Sequence, residues 1–406
     1  MARVADPAPA PGAAPFLDVT DPAFDFRSAE VARAQAESWY AETPIGLLIL
    51  RYAEIEELLR DARLNHNGKG YLEQNGIVSG PIYDWFVPMI VNHDGDDHLR
   101  LRRLVNKAFT ARTINNLRPF IRATAERLAG QLASKEVCEF IEDFANPMPL
   151  AVMCKLLGVP PEDYDTFHVW TADIGLIFSL AHGGDYTARV EKAVAGLYGY
   201  VDSLMAAKKA APGGTDLIST LVAVQQTEGR VSWDELRNLV VTLVFAAHDN
   251  TRYQFANAMV AFAEHPQQWK LLAQQPELAA QAVEELMRWC PSANALYRFA
   301  AEDFDYHGLR IKAGTFVMLG VRAAHRDPRA IPDGDSFDIT ATRQAPPLQF
   351  GGGAHHCLGA ALARAELGAA LPVLTSRFGP PAIAGPVTWL PQTGIYGPNE
   401  LPLRFG

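Results

Sequence analysis

Apolar residues recur at three- and four-residue spacing through most of this chain, which predicts a protein built mainly of helices. Pro and Gly separate the predicted helices, which span residues 30–43, 52–61, 98–109, 111–134, 161–177, 188–211, 233–264, 266–274, 277–289 and 359–378. Shorter apolar runs predict strands at residues 45–51, 297–300, 304–311, 315–319 and 401–405, with a hairpin turn at His307-Gly308. The pattern therefore predicts a mainly α fold with small β-sheets gathered at one side, an α+β arrangement.

The composition of the chain limits the number of domains, the classes of binding partner and the cellular compartment that we expect. The 406 residues are 49% hydrophobic, and no linker-like stretch divides them, so we expect one domain over residues 16–406 behind a disordered lead-in, residues 1–15. The net charge of −10 argues against general binding to nucleic acid or anionic membranes. The lead-in lacks the apolar core of a signal peptide, and the most apolar stretch, residues 239–247, is too short to cross a bilayer. Four cysteines without paired spacing indicate a reducing compartment, so we expect a cytoplasmic protein with no membrane anchor.

One of the cysteines lies in a glycine-rich stretch directly before a predicted helix. The stretch reads Phe350-Gly351-Gly352-Gly353-Ala354-His355-His356-Cys357-Leu358-Gly359. Glycines let a backbone lie close to a flat, bulky group, because no Cβ stands in the way. A helix that begins just after Cys357 directs its free N–H groups and positive dipole end at the sulfur, which favours a thiolate. Such a thiolate can serve as a soft ligand for a metal ion, and the axial sulfur of a heme iron is one example.

Three other uses of Cys357 have to be weighed. It could be a buried structural thiol, or a nucleophile paired with a histidine. It could also be half of a zinc site with His355 and His356, but such a site needs further ligands at short spacing. The remaining cysteines do not supply them, since Cys138, Cys154 and Cys290 are scattered singly.

The whole stretch resembles the heme-binding signature of the cytochrome P450 family: a Phe, spaced glycines, a basic residue, the cysteine and then Gly. The resemblance implies the P450 fold, with heme b between a long central helix and the helix that follows the cysteine loop. Cys357 would then be the axial ligand of the iron, with Phe350, His355 and Gly359 in the loop that binds the cofactor.

A second match lies on the helix well before the cysteine loop. Glu285 and Arg288 are three residues apart and share one helix face, which by itself is a weak signal. The P450 family carries a Glu-x-x-Arg helix at this place that locks the loop beneath the heme, usually with a second Arg just after a Phe-Asp pair. Phe337-Asp338 is present, but the next arginine is Arg343, so its part in the group stays open.

Basic residues form the third match. Heme carries two propionates, and a buried carboxylate needs charged donors. His98 and Arg102 lie one helical turn apart, and with Arg298 and His355 they resemble the family's propionate clamp. Further basic residues are either a surface for an acidic electron donor or merely solvated helix faces; they are Arg100, Arg103, Lys107 and Arg364.

The fourth match is the segment Ala246-Ala247-His248-Asp249-Asn250-Thr251 on the long central helix. Relatives carry two small residues that open a groove for dioxygen, then any residue, an acid, and a Thr whose hydroxyl relays protons with the acid. Here Ala246, Ala247 and Asp249 match, but Asn250 stands at the Thr position and Thr251 follows one residue later. An amide does not relay protons as a hydroxyl does. Either Asn250 orders a water, or the substrate supplies a hydroxyl, or the reaction is not ordinary oxygen insertion; His248 is a further candidate participant.

The resemblance implies a bacterial-type heme-thiolate monooxygenase that inserts one oxygen atom of O₂, with electrons from a separate ferredoxin and its reductase. By family position the substrate pocket takes in Tyr83, Trp85, Phe86, Val87, Phe178, Val244, Phe245, Asn294, Ala295, Leu296, Ile395 and Tyr396. These mostly apolar residues favour a mid-sized hydrophobic or aromatic substrate from secondary metabolism, unless several of them simply pack the core. Two other functions stay open: a peroxide-using or oxidative-coupling enzyme, and a non-catalytic heme-binding domain.

Overall fold

A computed structural model describes residues 14–106, 109–178, 186–229, 231–392 and 394–406, so most of the predicted lead-in lies outside the described residues. In these ranges the α-helices are α1 (Ala29–Glu37), α2 (Tyr52–Leu58), α3 (Gly68–Gln74), α4 (Pro81–Phe86), α5 (Gly95–Asn106), α6 (Ala111–Leu132), α7 (Pro147–Leu157), α8 (Tyr164–Gly175), α9 (Thr187–Ala210), α10 (Leu217–Glu228), α11 (Trp233–Glu264), α12 (Pro266–Gln274), α13 (Ala279–Trp289), α14 (Val321–Ala324) and α15 (Ala360–Arg377). The strands are β1 (Tyr40–Thr43), β2 (Gly46–Ile49), β3 (Leu64–Asn65), β4 (Cys138–Glu139), β5 (Leu296–Ala300), β6 (Phe304–Tyr306), β7 (Leu309–Ile311), β8 (Phe316–Leu319), β9 (Pro381–Ile383), β10 (Thr388–Trp389), β11 (Pro398–Glu400) and β12 (Pro402–Phe405). The prediction of a mainly α fold with small sheets is confirmed.

The long helix α11 runs through the core, and its start is set by a capping box. The Ser232 hydroxyl accepts from the backbone N–H of Glu235 at 3.1 Å, and the Glu235 carboxylate accepts from the backbone N–H of Ser232 at 2.7 Å. From Leu236 onward the helix is almost wholly buried, and α7, α8, α9 and β9 are among the elements that pack against it. A helix that is apolar on most of its circumference packs inside a core, and this one carries the central segment that the sequence singles out.

The main sheet has five strands in the order β1-β2-β8-β5-β3. Strand β2 pairs in parallel with β8, and β5 pairs antiparallel with β8 in a register that sets Arg298 opposite Val317. The hairpin predicted at His307-Gly308 is present between β6 and β7, and both turn residues have positive φ. The sheet therefore holds Arg298 at a fixed position near the centre of the molecule.

Some boundaries differ from the prediction for local reasons. Residues 40–43, predicted as the end of a helix, form strand β1 and pair with β2 across a turn that ends at Gly46, whose φ is +145°. The stretch 68–91, for which the sequence pattern predicts no helix or strand, contains α3 and α4. Asn67 caps α3 by accepting from the N–H of Gly70, and Pro81 lies in the first turn of α4. Helices of six or seven residues with internal Gly or Pro carry too little apolar repeat to be recognised.

The cysteine loop lies directly before α15, which packs against α6, α12 and α13. Two single-turn 3₁₀ helices shape this loop, Leu348–Phe350 and Gly353–His355. Within the described residues, no helix is long and apolar enough to cross a membrane.

Candidate active site

A cavity of about 370 Å³ lies between α11 and the cysteine loop. Of the predicted site residues, those on its wall are Arg102, Phe245, Ala246, Asn250, Ala295, Leu296, Arg298, His355, Cys357, Gly359 and Ile395. Wall residues that the prediction did not name as site residues include His66, Tyr71, Met89, Ile90, Val91, Val105, Phe109, Thr242, Leu243, Ala247, Ala293, Tyr297, Phe316, Met318, Leu358 and Gly394. The fold thus brings the cysteine loop, the central helix and the sheet to one mostly apolar chamber.

The Cys357 side chain is accessible from inside this cavity, although the surrounding protein shields it from bulk solvent. Its backbone N–H donates to the carbonyl of Phe350 at 2.8 Å and closes the loop, while Gly353, at φ +60°, lies against the backbone of Leu59. Burial raises the pKa of the Cys357 thiol, and the backbone N–H groups of Gly359 and Ala360 act in the opposite direction, as does Arg102. The start of α15 therefore favours the thiolate, as predicted for a helix that follows the cysteine. Burial has the larger effect, and the pKa of the thiol is raised overall.

One stripe of α11 faces the cavity. Thr242, Ala246 and Asn250 are spaced one helical turn apart along it, and Ala246 is exposed to the chamber. Among the described residues, the amide of Asn250 makes no hydrogen bond. Asn250 thus presents a polar amide to the cavity at the place where relatives carry a hydroxyl.

The other three catalytic candidates on α11, His248, Asp249 and Thr251, are buried but are not on the cavity wall. Asp249 Oδ1 lies 3.2 Å from Arg252 Nη2 and 3.4 Å from His248 Nδ1. The same His248 nitrogen lies 3.1 Å from the Thr171 hydroxyl on α8. Burial lowers the pKa of Arg252, but Asp249, Tyr253 and Glu142 together outweigh it, and the net shift is upward. The acid of the central motif is therefore engaged in a buried ion pair beside α8.

Basic side chains surround the cavity near the cysteine loop. Arg298 is buried, and burial lowers its pKa to about 10. Burial, followed by the nearby His355 and Arg102, lowers the pKa of His98 to about 4. The rings of His98 and His355 are 4.2 Å apart, and His355 Nε2 lies 2.9 Å from Asp94 Oδ1. Such a group of basic side chains in a buried place suits an anionic ligand.

His66 joins this group, although no sequence motif marks it. Its ring is 4.3 Å from that of His355, and its Nε2 lies 2.7 Å from Arg298 Nη1. Burial lowers the pKa of His66 well below its usual value, and Arg298, His355 and His98 add to the effect. A single histidine at the end of a two-residue strand matches no motif, so only the fold could reveal it.

The Glu285/Arg288 pair is buried beneath the loop and has a third member. Arg288 donates to the Glu285 carboxylate at 2.8 and 2.7 Å, and Arg343 donates to it at 2.8 and 3.1 Å. The displaced arginine therefore reaches the carboxylate in spite of its shifted position. Arg288 also donates to the carbonyls of His325, Gly334 and Ser336, so this cluster ties α13 to the segment that leads to the cysteine loop.

Several residues predicted to contact substrate lie behind the cavity wall. Trp85 and Phe86 are fully buried; Phe86 stacks on the wall residue Tyr71 at 5.6 Å, and Trp85 meets the wall residue Phe245 edge-on at 6.4 Å. Tyr83 and Val87 pack against the core, and Val244 is buried in the core away from the stripe that faces the cavity. The side chain of Phe178 lies outside the described part of the structure.

Asn294 and Tyr396 belong to the same outer layer. Asn294 is fully buried, donates to the backbone carbonyl of Gln392 at 3.1 Å and accepts from Arg322 at 3.0 Å. Tyr396 stacks on Trp389 at 5.1 Å. Their neighbours Ala293, Ala295, Gly394 and Ile395 supply the wall. These two loops therefore contribute to the cavity wall, whereas the side chains of Asn294 and Tyr396 brace them from behind.

Of the four residues considered as a docking surface for an electron donor, Arg100 and Arg364 are already paired. Arg100 contacts Glu235 at 2.5 Å, and Arg364 contacts Glu284 at 2.5 Å and lies over the Phe350 ring at 4.6 Å. Arg103 is exposed, and Lys107 lies outside the described residues.

Comparisons with known proteins agree on one family. Residues 172–380 match the family model described as Cytochrome P450. The chain is 44% identical over 393 residues to Luteothin monooxygenase of Streptomyces thioluteus, which covers 97% of this chain and 96% of that protein. It is 34% identical over 412 residues to Mycinamicin IV hydroxylase/epoxidase of Micromonospora griseorubida, covering 97% and 98%. Among solved structures, the myxobacterial cytochrome P450 CYP267B1 in complex with myristic acid has a TM-score of 0.87 and 31% identity, covering 96% of this chain and 98% of that one.

Proposed function

This chain belongs to the cytochrome P450 family, and from that premise we propose that Cys357 binds the iron of heme b in an enzyme that oxygenates a mid-sized hydrophobic or aromatic molecule. The family identifies it as an oxidoreductase of the monooxygenase type. The observation that carries the proposal is the cavity between α11 and the cysteine loop, which brings Cys357, the small residues Ala246 and Ala247, and a group of basic side chains together.

The residues around the cavity fit an anionic macrocycle with a soft metal. Arg102, Arg298 and His355 would hold its carboxylates, with His98 directly behind His355. Burial lowers the pKa values of His98 and Arg298, and a carboxylate held beside them would favour their charged forms and so act in the opposite direction. When bound, such a heme-thiolate group supplies the activation of dioxygen. The chain's own side chains position the substrate, exclude water and move protons.

We expect Asn250 to take part in the delivery of protons to the cavity. Its amide N–H₂ and C=O suit the ordering of a water molecule, which is one of the substitutes for the missing hydroxyl. Asp249 is turned to Arg252 and would act only after a change of rotamer. The alternative reaction, in which peroxide is the oxidant or two positions are coupled oxidatively, rests on the same residue.

The substrate class follows from the wall and from the relatives. Away from the basic side chains the wall is apolar, with Leu243, Phe245, Leu296 and Ile395 among its residues and with Thr242 and Asn250 as polar groups on α11. Such a chamber favours a mostly hydrophobic molecule with few polar groups. Luteothin monooxygenase and Mycinamicin IV hydroxylase/epoxidase come from actinomycete-type bacteria and bear natural-product names, which supports a role in bacterial secondary metabolism.

Electrons would come from a separate ferredoxin and reductase, with exposed Arg103 on α5 as a contact for an acidic donor.

The test of the proposed function is turnover of a panel of hydrophobic natural-product intermediates with a ferredoxin system and, separately, with hydrogen peroxide. Oxygenated product that depends on the ferredoxin system and on Cys357 supports the proposal. Product with peroxide alone would favour the alternative reaction, and tight ligand binding without product under either supply would favour a non-catalytic heme-binding domain.

A further inference from the structure

The tautomer of His66 is fixed by its contact with Arg298. A guanidinium has only N–H donors, so Arg298 Nη1, 2.7 Å from His66 Nε2, donates to that nitrogen. Nε2 must therefore carry a lone pair, and the proton of the neutral ring sits on Nδ1. The strongly lowered pKa of His66 agrees with a neutral ring.

The Nδ1–H group that results has no acceptor within the described part of the chain. Nδ1 is buried and makes no hydrogen bond there, and the whole residue is only 7% exposed. A buried N–H without an acceptor is unfavourable, because it loses its hydrogen bond to water and gains none in return. The residue nevertheless lies on the cavity wall, next to Arg298 and His355. A group held inside the cavity would supply the acceptor that Nδ1–H lacks.

Resting on the proposed heme site, we infer that His66 is a further contact of the cofactor, donating from Nδ1–H to one of its carboxylates while Nε2 accepts from Arg298. His66 would thus link the anion to the arginine on β5, and it extends the binding group by a residue from the end of β3. The neutral ring adds a directional donor where more positive charge would be repelled by Arg298 and by the neighbouring histidines.

Two amide substitutions test the roles of the two ring nitrogens of His66 separately. His66→Asn places an amide N–H near the position of Nδ1 but is too short to reach Arg298. His66→Gln reaches Arg298 with its amide oxygen but has no donor near Nδ1. His66→Phe removes both functions. His265→Phe is the matched control, because that histidine contacts Trp289 edge-on and Phe337 at a tilt and does not line the cavity.

The readout is transfer of heme from each purified holoprotein to excess apomyoglobin, followed by absorbance at neutral pH. We expect His66→Phe and His66→Gln to release heme about tenfold faster than wild type, the loss of one hydrogen bond to a charged acceptor. His66→Asn should stay within a few-fold of wild type, and His265→Phe should be unchanged. Protein reconstituted with heme dimethyl ester, which lacks the carboxylate charges, should show little difference among the His66 variants.

Other outcomes overturn the inference. Retention by His66→Gln with loss in His66→Asn would show that His66 acts only by positioning Arg298. Unchanged release in His66→Phe would exclude a contact with the cofactor, and a loss of substrate-induced spectral shift in that variant would then assign the Nδ1–H to the substrate. If wild-type protein carries no heme at all, the proposed function itself fails, which the absorbance of the starting protein shows before any transfer is measured.

Discussion

Replacing Glu285 by glutamine should strongly destabilise the protein, because this carboxylate neutralises two buried guanidinium groups. Glu285 is 3% exposed and accepts bidentate hydrogen bonds from Arg288 and Arg343, with a fifth from the backbone N–H of Asp338 at 3.0 Å. Removal of one partner of a buried ion pair costs roughly 3–5 kcal/mol. The amide retains the volume and one oxygen, so the expected loss of unfolding free energy is about 3 kcal/mol or more.

The assay is urea unfolding of wild type and Glu285→Gln at neutral pH, followed by far-ultraviolet circular dichroism. Glu126→Gln is the matched control, since Glu126 pairs with Arg122 at 2.9 Å on the surface of α6, with both side chains largely exposed. An exposed pair of this kind contributes roughly 0.3–0.5 kcal/mol. The midpoint should fall strongly for Glu285→Gln and barely for the control.

The pH dependence gives a second check on Glu285. Burial alone would raise the pKa of Glu285, but the hydrogen bonds from Arg288 and Arg343 outweigh it, so its pKa in the folded protein lies below the usual 4.5. A lowered pKa stabilises the fold above the usual value, and this stabilisation is lost as the pH falls through the folded-state pKa. The difference between wild type and Glu285→Gln should therefore shrink in acid. A midpoint for Glu285→Gln equal to that of the control at neutral pH would refute the reasoning.

Three further predictions concern stability. Burial raises the pKa of Glu366 to about 8, so the folded protein should lose roughly 4 kcal/mol between pH 5 and 8, and Glu366→Gln should unfold at a higher midpoint than wild type at pH 9 but not at pH 5. Gly46→Ala should lower the thermal midpoint, because φ is +145° and a Cβ would meet a backbone oxygen at 2.1 Å, whereas Gly368→Ala in open space on α15 should leave it unchanged or raise it. Arg252→Met should destabilise by a few kcal/mol in urea, and adding Asp249→Asn should restore part of the loss; strict additivity of the two would contradict their pairing.

The sequence predicted the parts of the fold that have long apolar repeats or strong punctuation. Helices α11 and α12 begin and end at the predicted residues, because a capping box, a Pro and 32 residues of apolar periodicity define them. The short helices α3 and α4 and the strands of two residues were not predicted. Their conformation depends on packing with distant segments, which local pattern does not encode.

At the site, motif spacing identified the residues whose place on the cavity wall is determined by their backbone position. Cys357, Ala246 and Arg298 lie on its wall, since each position is set by a loop, a helix face or a strand register. Side-chain direction was harder to predict. Asp249 turns to Arg252, which the sequence places three residues later but does not mark as its partner, and Asn294 braces a loop through Gln392 across 98 residues.

The central claim is that Cys357 is the thiolate ligand of a heme iron, and the reduced, carbon monoxide-bound absorption spectrum tests it most directly. Wild-type protein should show the red-shifted Soret band typical of thiolate-ligated heme, and Cys154→Ala, which removes a buried thiol of α7, should keep it. Cys357→Ala should abolish that band. A wild-type spectrum without heme, or a red-shifted band that survives in Cys357→Ala, would contradict the account.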